Sequence, residues 1–278
     1  MEIGFGLLTA SVGRDRMSER IQKVLSQLGV ASRRHAEQMI QEGRVLVNDQ
    51  LAHLGQKIHP DNDQITVDGE VVHSSKRPEH ICLLMNKPAG VVCTCDDPQG
   101  RRTVLDLLQE HLRQRQGIHP VGRLDVDSTG ALLLTNDGNL TFHLTHPRHH
   151  IPKTYQVWVE GSPSEKVLEQ WRQGVMLDDR LTLPANISVL QRHRTKTLLE
   201  IVLREGRNRQ IRRVAEQLGH PVLRLHRTAI GSIQLQPQGQ PGLPSGSYRV
   251  LSNFEICFLN SQIDLTSNIE PESEECSV

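Results

Sequence analysis

The sequence predicts an α+β fold in which a small N-terminal domain precedes a larger domain with a largely antiparallel mixed sheet. A chain of 278 residues is long enough for one large domain and one small one. Short apolar strands alternate with amphipathic helices, and brief turns join many of them. A polar, proline-containing segment at residues 73–80 lacks hydrophobic periodicity and indicates a linker, which we place at 76–80.

The first domain is expected to span residues 17–75 and to combine two helices with a small sheet. Apolar residues recur at helical spacing in two short segments, each opened by a serine cap and closed by a glycine. A turn at Asn48-Asp49 separates two short strands. The two helical segments and the two strands lie at residues 18–29, 32–43, 45–47 and 64–67.

Both ends of the chain are expected to lie outside the folded domains. Met17 directly precedes the first serine cap, so we expect it to be the native start and residues 1–16 to be an unstructured extension. Residues 261–278 carry five acidic residues and no Lys or Arg. We therefore expect residues 259–278 to form a disordered acidic tail.

The charge is balanced overall, with 32 basic and 32 acidic residues, but it is uneven along the chain. Residues 192–227 carry ten Lys and Arg against three Glu. Such a concentration is typical of a face that binds a phosphate backbone, although a solvated charged surface is the plainer interpretation.

The five cysteines are odd in number and scattered, which predicts reduced thiols in a cytoplasmic protein. Cys93 and Cys95 lack a second Cys or His pair at zinc-site spacing, so we expect no metal site. No apolar run approaches the length of a transmembrane helix, so we expect no membrane partner.

The second domain is expected to span residues 81–258. It opens with an apolar strand that is broken at Lys87-Pro88, and a helix is expected from Thr103 to Leu112. A segment rich in Gln, Pro and Gly at 236–246 indicates an exposed loop. Further strands are expected at 154–160, 186–190 and 197–203, and further helices at 163–173 and 209–218.

The most informative stretch runs from residue 120 to residue 138. Asp125 and Asp127 lie in a glycine-flanked turn directly before an apolar strand, with Arg123 beside them. Carboxylates next to an arginine at such a place are candidates for chemistry, although solvated loop acids are the commoner case. The strand ends in Asn136-Asp137-Gly138, which predicts a hairpin or tight turn.

This stretch resembles the active-site loop of the RsuA/RluB-type ribosomal RNA pseudouridine synthases. The likeness lies in Gly122-Arg-Leu-Asp, then Ser-Thr-Gly, an aliphatic run and Thr-Asn-Asp-Gly, while Asn86-Lys-Pro-Ala-Gly is similar to the opening motif of the catalytic domain. Residues 29–37 and 43–48 resemble blocks of an S4 domain, the small α-L RNA-binding fold. The resemblance covers about residues 18–255.

The resemblance implies isomerisation of uridine to pseudouridine without cofactor or metal: the base leaves the sugar carbon C1′ and rejoins it through C5. It implies that Asp125 is the catalytic carboxylate, Tyr155 the ring against the base, and Arg212 the cation paired with Asp125. A neighbouring arginine favours the charged form of a carboxylate. Whether Asp125 attacks C1′, attacks the base or removes a sugar proton stays open.

Basic residues in both domains are expected to bind RNA, because guanidinium geometry suits phosphate. Asp127 is expected to shape the loop, and His146, His149 and His150 are expected to contact RNA or to be ordinary surface residues. The RNA-binding candidates are Arg20, Lys23, Arg33, Arg34 and Arg44 in the first domain, and Arg123, Lys153, Arg207 and Arg209 in the second.

The expected function is site-specific pseudouridine formation in ribosomal RNA by a monomeric cytoplasmic enzyme. Glu205-Gly-Arg-Asn-Arg resembles the large-subunit members of the family, which implies large-subunit RNA as the substrate, whereas Pro147-Arg-His-His resembles the small-subunit enzyme and leaves small-subunit RNA as the alternative. A non-catalytic RNA-binding or ribosome-assembly protein is a second function class.

A third class is a metal-dependent phosphatase, because Asp125-Val-Asp-Ser-Thr fits the Asp-x-Asp-x-Thr nucleophile motif. Asp178 and Asp179 would then be the later metal ligands. That motif should follow a fully apolar strand, however, and here Gly122-Arg-Leu precedes it. The phosphatase alternative would also leave the S4-like blocks unexplained.

Overall fold

A computed structural model describes residues 18–73, 78–114 and 116–267 of the chain. The expected extension at 1–16, Met17, and the last acidic residues at 268–278 lie outside the described residues. The chain divides into two compact units, Met1–Pro78 and Glu79–Val278. The division falls within the polar segment that the sequence marks as a linker.

The first unit contains two helices, α1 (Ile21–Gln27) and α2 (Arg33–Gln41). The Ser32 hydroxyl accepts a hydrogen bond from the His35 amide at 3.3 Å and caps α2. The expected cap at Ser18 is wrong, because a short strand precedes α1 and no side chain caps it. The strands are β1 (Glu19–Arg20), β2 (Val45–Val47), β3 (Gln50–Leu51), β4 (Lys57–Ile58), β5 (Ile65–Val67) and β6 (Glu70–Val72).

One hydrophobic core holds the first unit together. Strands β3, β2, β5 and β6 form an antiparallel sheet in that order, and β1 pairs with β4. Helical spacing places Ile21 and Leu25 on one face of α1, where they join the core with Ile40 of α2 and Val45 of β2. The polar faces of both helices remain in solvent.

The second unit is built on a nine-stranded mixed sheet with helices outside it. Its helices are α3 (Glu110–Arg113), α4 (Gly138–Thr145), α5 (Glu165–Gln173), α6 (Gln210–Gln217) and α7 (Asn253–Ser267). Its strands are β7 (Cys82–Lys87), β8 (His119–Pro120), β9 (Thr129–Thr135), β10 (Lys153–Glu160), β11 (Met176–Leu177), β12 (Arg180–Leu181), β13 (Asn186–Arg192), β14 (Lys196–Leu203), β15 (Val222–Ile230), β16 (Ile233–Gln234) and β17 (Tyr248–Val250).

The main path of the sheet runs β13-β14-β10-β15-β9-β7-β17, with β16 on β15 and β8 on β9. Among the described strands, β9 and β15 pair in parallel and the other sheet pairs are antiparallel. The predicted α+β class with a mostly antiparallel sheet is therefore confirmed. Strand β15 was not predicted from the sequence.

The central strands are buried on both faces, which explains their continuous apolar runs. Alternate residues point to opposite faces of a strand. Leu84 and Leu133 accordingly join one core, whereas Leu83 and Leu132 join another. A third core lies under α5 and α6, around Leu199.

The predicted turn at Asn136-Asp137-Gly138 is wrong, because a helix follows it. The Asp137 carboxylate accepts hydrogen bonds from the amides of Asn139 (2.8 Å) and Leu140 (3.2 Å). Asp137 thus acts as the N-cap of α4 instead of turning the chain back as a hairpin.

The expected helix from Thr103 to Leu112 is also wrong, since it is broken into a 3-10 turn, Leu105–Leu107, and the short α3. The Asp106 carboxylate accepts hydrogen bonds from both the amide and the hydroxyl of Thr103, at 2.8 and 3.0 Å. Such a local side-chain bond competes with a continuous helical backbone.

The acidic tail was expected to be disordered from residue 259, but helix α7 continues to Ser267. Ser252 and Glu255 form reciprocal hydrogen bonds at its start, 2.9 Å from the Ser252 amide and 3.2 Å from the Glu255 amide. Leu259 is fully buried, so the helix is anchored to the core. No helix in the described ranges has the length and apolar character needed to cross a membrane.

Candidate active site

The loop at 121–128 carries Asp125 and leads directly into β9. The parallel pairing with β15 places Gly130 opposite Arg227. Gly130 has φ +112°, and a Cβ atom there would lie 2.1 Å from the Arg227 carbonyl oxygen. Only glycine permits this approach, so Gly130 sets how closely the end of the loop lies against β15.

A buried lysine holds the same loop. Lys87 at the end of β7 is 0% exposed, and its ammonium donates to the carbonyl oxygens of Pro88 (3.0 Å), Asp125 (3.0 Å) and Ser128 (2.8 Å). Burial lowers the pKa of Lys87, but three carbonyl acceptors satisfy its charge. The ammonium therefore fixes the backbone of Asp125 while the Asp125 side chain stays free to face the cleft.

Two arginines of the late basic segment reach the loop carboxylates. Arg209 donates from Nη1 to Oδ2 of Asp125 at 3.4 Å, and its Nη2 lies 3.7 Å from Oδ2 of Asp127. Arg209 precedes α6 in the left-handed backbone region, at φ +49° and ψ +31°. A non-glycine residue held in that region at a functional site is typical of stored backbone strain.

Arg212, the predicted partner of Asp125, lies closer to the neighbouring carboxylate. Its Nη2 is 3.1 Å from Oδ2 of Asp127 and donates to the Ser128 hydroxyl at 3.1 Å. Its Nε is 4.0 Å from Oδ2 of Asp125, beyond hydrogen-bond range, and this buried nitrogen has no partner within the described ranges. Arg212 therefore faces Asp125 with an unused donor, while Arg209 makes the direct bond.

Asp125 opens into a cleft of about 900 Å³ that is also lined by Lys153, Tyr155, Arg212 and Arg227. Tyr155 lies on β10 directly opposite Arg227 of β15, and the Arg227 guanidinium carbon is 6.0 Å from the centre of its ring. The three expected catalytic side chains thus share one cleft, although they are up to 87 residues apart in the sequence.

The RNA-binding candidates of this unit differ in their availability. Arg123 is exposed in the wall of the cleft, and Arg209 is exposed over about half of its side chain. Arg207 differs, because it donates to Glu205 and to the carbonyl oxygens of Leu177, Arg180 and Leu181. Four of its five N–H groups are occupied, so Arg207 ties β11 and β12 to the basic segment and keeps one N–H group for the predicted phosphate contact.

The candidates of the first unit also fall into two groups. Arg44 donates to both oxygens of Asp68 at 2.7 Å and to Glu42, and Lys23 lies 2.6 Å from Glu19. Within the described ranges no ion pair engages the other three, Arg20, Arg33 and Arg34. These three arginines present free charge to solvent.

The histidines form an aromatic cluster around the exposed ring of Phe142. The ring centre of His146 lies 4.8 Å and that of His149 6.1 Å from that of Phe142, and burial lowers the pKa of His149. His146 and His150 line the same cleft as Asp125. They therefore line the cleft, and among the described residues neither makes a hydrogen bond or ion pair with Asp125.

The ligands that a phosphatase would need do not come together. Asp178 is held by Arg213 through two hydrogen bonds, at 2.6 and 2.8 Å. Within the described ranges no three His, Cys, Asp or Glu side chains cluster as metal ligands. Asp125 and Asp127 face arginines instead, which is unfavourable for binding a cation.

Comparison with known proteins agrees with this geometry. Residues 81–217 match the family model for RNA pseudouridylate synthase, and residues 19–65 match the S4 domain model. The ribosomal large subunit pseudouridine synthase B of Bacillus subtilis (strain 168) is 39% identical over 253 residues, which are 90% of this chain and 99% of that protein. The chain belongs to the RNA pseudouridine synthase family.

Two further likenesses extend the comparison. The ribosomal large subunit pseudouridine synthase B of Pseudomonas aeruginosa is 41% identical over 255 residues, 90% of this chain and 64% of that protein. A crystal structure of a pseudouridylate synthase has a TM-score of 0.62 and 30% identity, and covers 86% of this chain and 99% of its own. The predicted S4 domain and synthase fold are thereby confirmed.

The sequence did not identify three residues that shape this synthase cleft: Lys87, Gly130 and Arg227. Lys87 carried one signal, because a lysine that closes an otherwise apolar buried strand needs internal acceptors. Arg227 could have been identified in a similar way, because it lies in a strand between Leu225 and Ala229, both of which are buried. Gly130 carried none, because the close approach comes from β15, 97 residues further along the chain.

Proposed function

We propose that this protein isomerises a specific uridine to pseudouridine in large-subunit ribosomal RNA. The observation that carries the proposal is Asp125, held from its backbone by Lys87 and faced by Arg209 and Arg212, in the cleft that contains Tyr155. Relatives that are about 40% identical over nine-tenths of this chain are named for the large ribosomal subunit. Small-subunit RNA is the alternative substrate.

Each side chain has a distinct role in this proposal. Asp125 is the catalytic carboxylate, and Arg209 and Arg212 stabilise its charge at distances of 3.4 and 4.0 Å. Tyr155 packs against the extracted base, a contact that contributes about 1–3 kcal/mol per base. The N1–C1′ bond breaks, the uracil turns, a C5–C1′ bond forms, the C5 hydrogen leaves as a proton and N1 takes up a proton, with no cofactor or metal required.

RNA binding in this proposal uses exposed cations of both units. Arg20, Arg33 and Arg34 of the S4 domain hold phosphates, and Arg123 and Arg209 hold the backbone around the target nucleotide. Lys23 and Arg44 are weaker candidates because acids already engage them, and Arg209 contributes only through the N–H groups that Asp125 and Asp127 leave unused. We place the protein in the cytoplasm as a monomer that acts on ribosomal RNA or its assembly precursor.

The experiment uses large- and small-subunit ribosomal RNA labelled with tritium at uracil C5. Wild type and Asp125→Asn are incubated with each RNA in the presence of a metal chelator. Formation of the C5–C1′ bond must expel the label, so we expect release from large-subunit RNA by wild type alone. RNA affinity of Asp125→Asn should stay within a few-fold of wild type, because the substitution removes charge and keeps shape.

Other outcomes select the other functions. RNA binding without release by wild type, on naked RNA and on assembly particles, would indicate a non-catalytic binder. Release from small-subunit RNA alone would identify small-subunit RNA as the substrate. Magnesium-dependent phosphatase activity that Asp125→Asn abolishes would contradict the proposal entirely.

A further inference from the structure

The floor of the cleft contains two cations, Lys153 and Arg227, for which the described residues offer no acidic partner. Arg227 is only 5% exposed. Its Nε donates to the Ala131 carbonyl oxygen at 2.6 Å, but its Nη2 is buried without a hydrogen-bond partner among the described residues. Lys153 is partly buried, and no described carboxylate lies within ion-pair distance of it. Burial and the nearby Arg227 lower the pKa of Lys153 to about 8.

Two other cations of this unit, Lys87 and Arg207, find acceptors within the protein, whereas Lys153 and Arg227 have no acidic partner among the described residues. Lys87 has three close carbonyl acceptors, and Arg207 has a carboxylate and three carbonyls. A buried donor without an acceptor costs free energy, and two like charges side by side cost more. An acceptor that arrives with the substrate would offset that cost.

The two cations flank the tyrosine that is proposed to stack on the base. Lys153 and Tyr155 are two residues apart on β10 and so face the same side of the sheet. Arg227 pairs with Tyr155 across the two strands. All three line the cleft with Asp125, so any ring that stacks on Tyr155 has both cations beside it.

The depth of these cations identifies the part of the substrate that reaches them. Phosphates are strongly hydrated and fit the exposed arginines, Arg123 and Arg209, at the wall of the cleft. The extracted base is the part that enters furthest. We propose that Lys153 and Arg227 form a cationic site for the carbonyl oxygens of the uracil, where they stabilise the negative charge that the ring acquires as it leaves the sugar.

This site rests on the proposed function and supplies a missing part of its chemistry. When the N1–C1′ bond breaks, its electron pair goes to N1 and spreads over O2 and O4 of the ring. Preorganised donors at those oxygens lower the barrier, because they need no reorganisation as the charge forms. The ring then bonds to C1′ through C5, the C5 proton is released to solvent, and N1 takes up a proton from solvent, so that the product is an isomer of uridine.

The test varies the leaving group as well as the protein. Ribosomal RNA transcripts containing uridine or 5-fluorouridine are compared in single-turnover reactions, with loss of the target nucleotide followed by chromatography of nuclease digests. Fluorine withdraws electrons and stabilises the departing ring by itself. Lys153→Met should slow the uridine reaction by about 10²-fold to 10³-fold, in the range of a lost charge-stabilising donor. The loss on 5-fluorouridine should be at least tenfold smaller.

Matched variants separate chemistry from structure. Lys166→Met makes the same substitution at an exposed lysine of α5 outside the cleft, and should react like wild type on both transcripts. Arg227→Lys keeps the charge and should retain more activity than Arg227→Gln. Arg227 also donates a hydrogen bond to the Ala131 carbonyl oxygen, so the folding of its variants is checked by thermal unfolding. If they do not fold, the test relies on Lys153→Met alone.

The outcomes distinguish this site from the proposed function. A wild type that converts uridine, with equal losses by Lys153→Met on the two transcripts, would overturn the site alone. A weaker salt dependence of RNA binding with an unchanged saturated rate would assign Lys153 to a phosphate and would also overturn it. A wild type that converts no uridine would overturn the proposed function and the site together.

Discussion

The unpaired cations of the two units lie in different surroundings. Residues 17–75 carry six Lys and Arg against eight Asp and Glu, and Arg44 and Lys23 are engaged by acids. In the cleft of the second unit, Arg123, Lys153 and Arg227 have no acidic partner among the described residues. The first unit can attract RNA through a few arginines, whereas the cleft keeps charge unpaired where the base would enter.

This difference indicates that the cations of the two units have different roles. An exposed ion pair contributes little to stability, and its cation is already engaged when a phosphate approaches. A cation buried without a partner destabilises the free protein, but it interacts strongly with any anion that reaches it. We therefore expect the unpaired cations of the cleft to lower the stability of the free protein and to favour the reaction. We expect the exposed arginines of the S4 domain to have little effect on either.

The largest effect is expected at Gly130, where a side chain would push the two parallel strands apart. In Gly130→Ala the new Cβ would lie 2.1 Å from the Arg227 carbonyl oxygen. We expect at least a hundredfold loss of tritium release and a destabilisation of about 1–3 kcal/mol, typical of overpacking.

The matched control lies in the first unit, at Gly69. Its φ is also positive, at +83°, but no atom lies within 4 Å of the new Cβ. Gly69→Ala should cost only about 1 kcal/mol from backbone strain and leave the saturated rate unchanged. A Gly130→Ala protein with wild-type unfolding and rate would show that the close approach does not matter.

The next effect concerns the free arginines of the S4 domain. Arg33→Met/Arg34→Met should weaken RNA binding about tenfold and lower the slope of log affinity against log salt by about 2, one for each phosphate contact. The rate at saturating enzyme should not change. Binding is measured between 50 and about 300 mM salt, a range over which such contacts weaken steeply. An unchanged slope would remove these arginines from the interface.

A smaller effect of opposite sign is expected at Lys153. Its pKa in the folded protein is about 8, below its ordinary 10.5, so the unfolded chain binds more protons between these values. The stability of wild type should therefore rise as the pH increases from 8 to 10.5. Lys153→Met removes the buried charge and should stabilise the protein by about 1–3 kcal/mol at pH 7.

This gain should shrink toward pH 10.5, which denaturant unfolding at a series of pH values measures directly. Lys166→Met provides the exposed control and should show no such trend. If Lys153→Met is instead less stable than wild type at pH 7, the lysine has a partner that stabilises its charge, and the contrast between the two units weakens.

The smallest effect is expected at Arg44. Because Arg44 already binds Asp68 and Glu42, Arg44→Met should change RNA affinity less than twofold, in contrast to the double variant at Arg33 and Arg34. Hydrogen bonds from Arg44 lower the pKa of Asp68 below its ordinary 3.8. Their contribution to stability is present above that pH and disappears as the pH falls through the lowered pKa.

The difference in stability between wild type and Arg44→Met should accordingly vanish in acid, which thermal unfolding at pH 2 to about 7 would reveal over the range in which carboxylates titrate. A large loss of RNA affinity in Arg44→Met would show that its ion pairs open on binding. The presence of an ion pair would then fail to predict which arginines bind RNA.

Short motifs and their resemblance to a known family were sufficient to predict three residues that share the cleft. Asp125, Tyr155 and Arg212 were each located from a short string, and the structure brings all three into one cleft. The paired strands β10 and β14 were predicted to within one residue, because alternation of buried and exposed positions has a period of two. Two of the failures lay at Asp106 and Asp137, where a side chain bonds to the nearby backbone.

By itself the sequence determined the fold class and the two-part organisation, which depend on periodicity and local composition, and its resemblance to a known family supplied the candidate catalytic carboxylate. Only the tertiary structure decided that Arg209 bonds Asp125 more directly than Arg212 does, that Lys87 holds the loop, and that the two cations of the cleft floor lack acids. Those facts depend on distances of a few ångströms between segments some 40 to 100 residues apart. Such distances cannot be inferred from a local pattern, because they are set only when β9 and β15 pair and the core forms.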